Sequence, residues 1–216
     1  MTLSVMRQNN LWRYIKMNLP NKLTVLRLFM VPIIVIVMLL PLPAILSGVL
    51  AAAIFGATAL TDMLDGKIAR KHNLITDFGK FLDPLADKFM VISTLTVLVY
   101  RFGYDDILQI LCLISTLIVI MRELAVTSIR LVVSSSSGIV VAANMLGKIK
   151  TVTQIVYILC ALLEPVLFEL IDIIANPGWT NYHILTYASM LAMTIFTIWS
   201  GINYLASYWK YLDPNK

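Results

Sequence analysis

Apolar residues in this chain fall into long unbroken runs, with polar residues gathered between them. Runs of about 20 residues are the length an α-helix needs to cross the hydrocarbon core of a bilayer. Six are legible, over residues 23–40, 44–60, 84–100, 107–133, 151–168 and 184–204. A Pro41-Leu42-Pro43 break divides the first two, and Asn18-Leu-Pro-Asn21 forms a turn and helix cap before the first. The pattern predicts an all-α polytopic membrane protein with six transmembrane helices. Its membrane domain is expected over residues 17–212.

Residues 1–16 stand apart. Leu3, Met6, Leu11, Trp12 and Ile15 alternate with Arg7, Arg13 and Lys16, which fits a helix lying on the membrane surface or a frayed tail. No apolar stretch before the first run has the character of a secretory signal. Ser134 to Gly138 is predicted as a short flexible loop between the fourth and fifth spans.

Composition agrees with the pattern. Hydrophobic residues make up 59% of the chain and charged residues 13%, against about 25% charged in soluble domains. Mean hydropathy is +0.85. A water-soluble globule of this size cannot bury that much apolar surface.

Charge adds an orientation. Of 17 Lys and Arg, only Arg101 falls in the loops on one side, where Asp105, Asp106, Glu169 and Asp172 also lie. The rest fall on the other side. The positive-inside rule then places both termini and the polar mouth in the cytoplasm, in a multi-pass protein of the plasma membrane. The basic excess suits an anionic bilayer and gives no sign of nucleic acid. Cys112 and Cys160 lie inside apolar runs as small buried residues, without metal or disulfide spacing. Trp179, Tyr182, Trp199, Tyr204, Tyr208, Trp209 and Tyr211 read as interface anchors around the last span.

The chemistry lies in Thr61-Asp62-Met-Leu-Asp65-Gly66-Lys-Ile-Ala69-Arg70 and Gly79-Lys-Phe-Leu-Asp83-Pro-Leu-Ala-Asp87-Lys88. Asp62 and Asp65, three apart, share a helix face, and Gly66 and Ala69 leave room beside them. Asp83 and Asp87, four apart, share another, with Asp83 expected at the helix cap because Pro84 follows it. Two like charges 4 Å apart cost about 4 kcal/mol at an effective dielectric of 20. A positive partner is needed, and hard carboxylate oxygens suit Mg²⁺ or Mn²⁺, with four acids enough for two ions. A plain solvated loop paired with Lys67, Arg70, Lys71, Lys80 and Lys88 would explain the charges but not the small residues.

These residues, in the order D-x2-D-G-x2-A-R-x8-G-x3-D-x3-D, resemble the signature of the CDP-alcohol phosphotransferase family, with all eight positions filled. The resemblance implies a six-helix membrane enzyme, a homodimer, that moves a phosphatidyl group from CDP-diacylglycerol to an alcohol and releases CMP. Asp62, Asp65, Asp83 and Asp87 would hold metal. Asp87 would also serve as the general base. Asp62, Asp65, Gly66, Ala69, Arg70 and Gly79 would surround the CDP group.

The acceptor is read from basic residues near the membrane. Arg122 beside Glu123 could form a structural pair, while Arg130, Lys148 and Lys150 suit a free phosphate. Together Arg122, Arg130, Lys148 and Lys150 point to a phosphorylated acceptor such as glycerol 3-phosphate. The segments Asn18–Arg27, Arg122-Glu-Leu-Ala-Val and Gly147-Lys-Ile-Lys-Thr151 resemble family members using that acceptor, which adds Asn21, Thr24 and Arg27 as site candidates. Inositol phosphate or serine would be the alternative acceptors. A prenyltransferase would need different acid spacing and more helices. A divalent-cation transporter would need polar residues continuing through the bilayer.

Overall fold

The computed structural model describes residues 18–71, 76–137, 145–175 and 183–209, without the side chains of residues 63–71, 77, 80 and 135–137. The possible surface helix over residues 1–16 and the aromatics Trp179, Tyr182 and Tyr211 lie outside the described residues. Six helices and no strand are found among the described residues. They are α1 (Leu19–Leu39), α2 (Ala44–Lys71), α3 (Asp77–Arg101), α4 (Asp106–Ser137), α5 (Met145–Ala175) and α6 (Ile184–Tyr208).

Local chemistry sets the helix starts. Asn18 is the extended N-cap of α1, and Pro20 occupies the first turn, where a missing N–H costs nothing. Thr76 caps α3, its Oγ1 accepting from Gly79 N at 3.1 Å. This cap corrects one expectation. Asp83 sits inside α3 rather than at its cap, because Thr76 starts the helix seven residues before Asp83. Pro84 is carried within the helix, since its fixed φ is helical and only one backbone hydrogen bond is forfeited. Ser134 to Ser137, expected as loop, continue α4. Serine costs a helix only a few tenths of a kcal/mol more than alanine, so four of them do not end a 32-residue helix.

α1, Ala44–Asp62 of α2, Asp106–Ser134 of α4, and α6 are each long and apolar enough to cross a membrane. α3 and α5 span 25 and 31 residues and carry Asp83, Asp87, Lys88 and Glu164 within them. The helices pack as a closed ring in the order α1, α3, α4, α6, α5, α2, with α3 also touching α5. Ile34, Phe55, Leu95, Leu108, Tyr157 and Met193 fill the centre. Large apolar side chains also point outward, Leu131 at 72% and Ile174 at 84% exposed. In water such a surface would aggregate; in lipid it is the natural exterior.

Lipid offers no hydrophobic drive between helices, so close backbone approach matters. Gly48 shows it: a Cβ there would lie 2.4 Å from Val166 Cγ2 and 2.8 Å from Leu162 O. The α2–α5 crossing therefore requires glycine.

The end opposite the aspartates closes on polar contacts. Glu164 is 1% exposed and accepts from Leu185 N and Thr186 N, both at 2.7 Å. A carboxylate from α5 thus meets the positive N-terminus of α6. Tyr104 Oη lies 3.0 Å from His183 Nε2. Burial, reinforced by Asp105, pushes the Tyr104 phenol above its ordinary pKa, so it remains protonated.

Candidate active site

α1, α2 and α3 bring their polar residues together at one end of the ring. Asn21, Thr24 and Arg27 recur every three residues and so share one face of α1. They are 7%, 1% and 1% exposed. Asp62 lies near the C-terminal end of α2, and Asp83 and Asp87 lie one turn apart on α3.

Arg27 joins the helices. Its Nη1 lies 2.8 Å from Asp62 Oδ1 and 2.5 Å from Asp87 Oδ1, so carboxylates of α2 and α3 converge on one atom. The guanidinium is fully buried, while the two carboxylates keep 40% and 44% of their exposure. Thr24 Oγ1 donates to Asp83 Oδ1 and lies 3.1 Å from Pro20 O. Asn21 Oδ1 accepts from Thr76 Oγ1 at 3.0 Å, tying α1 to the start of α3.

Gly79 packs into this junction. A Cβ there would lie 2.9 Å from Asn21 Oδ1, 3.2 Å from Thr76 Oγ1 and 3.7 Å from Asp83 Oδ2. Any larger residue pushes Asn21 or the Thr76 cap out of place. Asp65, Gly66, Ala69 and Arg70 continue α2 beyond Asp62, and their side-chain placement lies outside the described residues.

Among the described residues, no three His, Cys, Asp or Glu side chains stand close enough to hold a metal ion. Arg27 supplies the positive charge between Asp62 and Asp87. One guanidinium does not balance Asp62, Asp83 and Asp87, and Asp65 adds a fourth acid on the same helix as Asp62. The donors are hard carboxylate oxygens, two of them already directed at one point. In charge and donor chemistry the residues fit Mg²⁺ or Mn²⁺.

A basic cluster adjoins the acids. Lys88 follows Asp87 on α3, and its Nζ donates to Thr127 Oγ1 on α4. Thr127 in turn donates to Glu123 O at 2.6 Å. Glu123 is buried and takes two cations: Arg122 Nη1 at 3.2 Å and Lys150 Nζ from α5. Arg122 Nη2 also donates to Ser200 Oγ on α6 at 2.5 Å. Arg130 Nη2 donates to Tyr204 Oη, also on α6. The structure therefore links Arg122, Arg130 and Lys150 through shared partners. Lys148 is exposed at the start of α5.

Ser200 and Tyr204 escape a reading of the sequence. Ser200 carries no local signal, and Tyr204 at the end of an apolar run looks like an interface anchor. The structure buries Tyr204 to 2% exposure, whereas Trp199 and Trp209 remain 54% and 64% exposed. The Arg122–Glu123 pair, in contrast, is visible from adjacency.

Acids from two helices beside a basic cluster, on a helical scaffold with membrane-length apolar segments, suit a membrane protein that handles phosphates. The chain belongs to the CDP-alcohol phosphatidyltransferase family, which it matches over residues 17–199. It is thus a membrane transferase of phospholipid biosynthesis. Divalent-metal dependence is general in that family. The chain is 40% identical over 208 residues to the CDP-diacylglycerol–glycerol-3-phosphate 3-phosphatidyltransferase of Bacillus subtilis (strain 168), covering 92% of this chain and 98% of that one. It is 31% identical to the protein of the same name from Pseudomonas fluorescens, covering 92% and 94% of the two chains. With the one from Wigglesworthia glossinidia brevipalpis, identity is 34% and coverage 93% and 100%.

Proposed function

We propose that the chain transfers the phosphatidyl group of CDP-diacylglycerol to glycerol 3-phosphate, giving phosphatidylglycerol phosphate and CMP. The observation that carries this reading is the side-by-side placement of the convergent acids and a basic cluster of net positive charge. Acids alone would serve any acceptor alcohol. The basic cluster favours one that carries a phosphate. The names of the similar proteins agree with that choice.

Asp62, Asp65, Asp83 and Asp87 hold one or two Mg²⁺ or Mn²⁺ ions in this reading. When bound, the metal neutralises charge building up on the pyrophosphate. Gly66, Ala69, Arg70 and Gly79 surround the CDP group. Arg122, Arg130, Lys148 and Lys150 hold the acceptor's phosphate and so aim its free hydroxyl toward Asp87. Asp87 accepts the hydroxyl proton as the oxygen attacks the phosphatidyl phosphorus. The new P–O bond forms as the bond to CMP breaks, and CMP leaves with the electron pair. Arg27 keeps Asp87 and Asp62 in register through this step, and Thr24 does the same for Asp83.

The proposed setting is a homodimer in the plasma membrane, each chain crossing six times, with both termini and the polar mouth cytoplasmic. The biased distribution of Lys and Arg supports that orientation.

Purified protein given CDP-diacylglycerol, Mg²⁺ or Mn²⁺ and each candidate alcohol in turn tests the assignment. CMP release with glycerol 3-phosphate alone is expected. Turnover only with inositol phosphate or serine would overturn the acceptor and leave the family untouched.

A further inference from the structure

Arg122 and Arg130 stand eight residues apart on α4, about 12 Å along its axis. Their side chains nevertheless meet at one ring. The guanidinium carbons of Arg122 and Arg130 lie 5.8 and 5.0 Å from the centroid of Tyr204. Arg130 also donates to the Tyr204 hydroxyl. Ser200, one turn earlier on α6, accepts from Arg122. Gly201 lets the arginine stem lie close, since a Cβ there would be 3.2 Å from Arg122 Cγ.

We infer that Tyr204 is a positioning residue for the acceptor: its buried ring gathers Arg122 and Arg130, which start about two turns apart, around one point where a phosphate can be held. The inference rests on the acceptor-phosphate reading above. Bringing two guanidiniums together costs energy, and some negative potential must offset it. A carboxylate would offset it fully but would cancel the charge meant for the substrate and repel the phosphate. An aromatic face attracts both cations while leaving their full charge available. Glu123 already serves Arg122 and Lys150 and leaves the cluster net positive. Tyr204 therefore supplies direction without neutralisation, and its hydroxyl fixes which way Arg130 turns.

Steady-state CMP release by the full-length protein tests this, with acceptor and CDP-diacylglycerol varied separately and inorganic phosphate added as a competitor. Tyr204→Leu should raise the acceptor KM and the phosphate Ki together by about tenfold, and Tyr204→Phe, which keeps the ring, by only about threefold. kcat and the KM for CDP-diacylglycerol should stay within about twofold of wild type, a split that loosened helix packing would not give. Equal rises in both KM values, or an unchanged acceptor KM in Tyr204→Leu, would overturn the inference. Should Tyr204→Leu not fold, Tyr204→Phe decides, and a phosphate Ki equal to wild type is the contrary result. If glycerol 3-phosphate is not the acceptor, the same variants are run with the alcohol that turns over. A weakened phosphate Ki there supports Tyr204 while the acceptor reading falls; an unchanged Ki overturns both.

Discussion

At the scale of single residues, Asp62, Asp83 and Asp87 each have a partner with a stated role, and losses in this set should fail differently. Asp87→Asn keeps the shape and one acceptor toward Arg27 but cannot take a proton. Turnover should vanish while thermal unfolding stays near that of wild type. Arg27→Met leaves Asp62 and Asp87 facing each other without their shared cation. Breaking a fully buried pair costs about 3–5 kcal/mol; with two half-exposed carboxylates, about 1–3 kcal/mol is expected. The melting temperature should fall in EDTA and recover more on Mn²⁺ addition than in wild type. Recovery no larger than in wild type would mean Arg27 and metal do not answer to the same charges. Arg130→Ala should raise the acceptor KM about tenfold while that for CDP-diacylglycerol holds, measured by the same release of CMP.

How much of the site could be read from the sequence follows from how far each signal reaches. Asp62, Asp65, Asp83 and Asp87 declare themselves by spacing, because three- and four-residue intervals fix a helix face. Arg27 stands out only through resemblance, since a lone arginine in an apolar run does not say which acids it meets. Tyr204 was hidden for a clear reason. An aromatic near a helix end is equally suited to the bilayer interface, and only the arrangement of α4 against α6 separates the two uses.

At the scale of helices, apolar runs located all six, and the errors fall at their ends. Pro84 suggested a helix start, yet Thr76 provides a cap that the proline does not undo. The serines 134–137 suggested a loop, yet they extend a helix already 28 residues long. Local breakers are weak against a long helix whose hydrogen bonds are already formed. Glu164 gives the clearest test at this scale, because it joins α5 to the N-terminus of α6. Glu164→Ala leaves the buried Thr186 N–H and the part-buried Leu185 N–H without that acceptor, at about 1–3 kcal/mol for the buried one and less for the other. Thermal unfolding should shift down clearly, with both KM values unchanged in the protein that remains folded. A change confined to kcat would place Glu164 in the chemistry instead.

At the scale of the molecule, the ring of helices separates two ends. One gathers Asp62, Asp83, Asp87, Glu123 and Lys150; the other closes on Glu164, His183 and Tyr104. In the proposed six-crossing arrangement these ends lie on opposite faces of the bilayer. Single cysteines at Lys148 and at Tyr104 should then react with impermeant thiol reagents from opposite sides of sealed vesicles. Labelling of both from one side would contradict a single crossing by α4 between them. The central physical claim concerns charge: acids from α2 and α3 meet to bind a divalent cation that receives a nucleotide pyrophosphate. Mn²⁺ binding to the purified protein, followed by electron paramagnetic resonance with and without CDP-diacylglycerol, tests it most directly. Saturable binding that tightens with the lipid and is lost in both Asp62→Asn and Asp87→Asn is expected. Undiminished Mn²⁺ binding in those folded variants would contradict it.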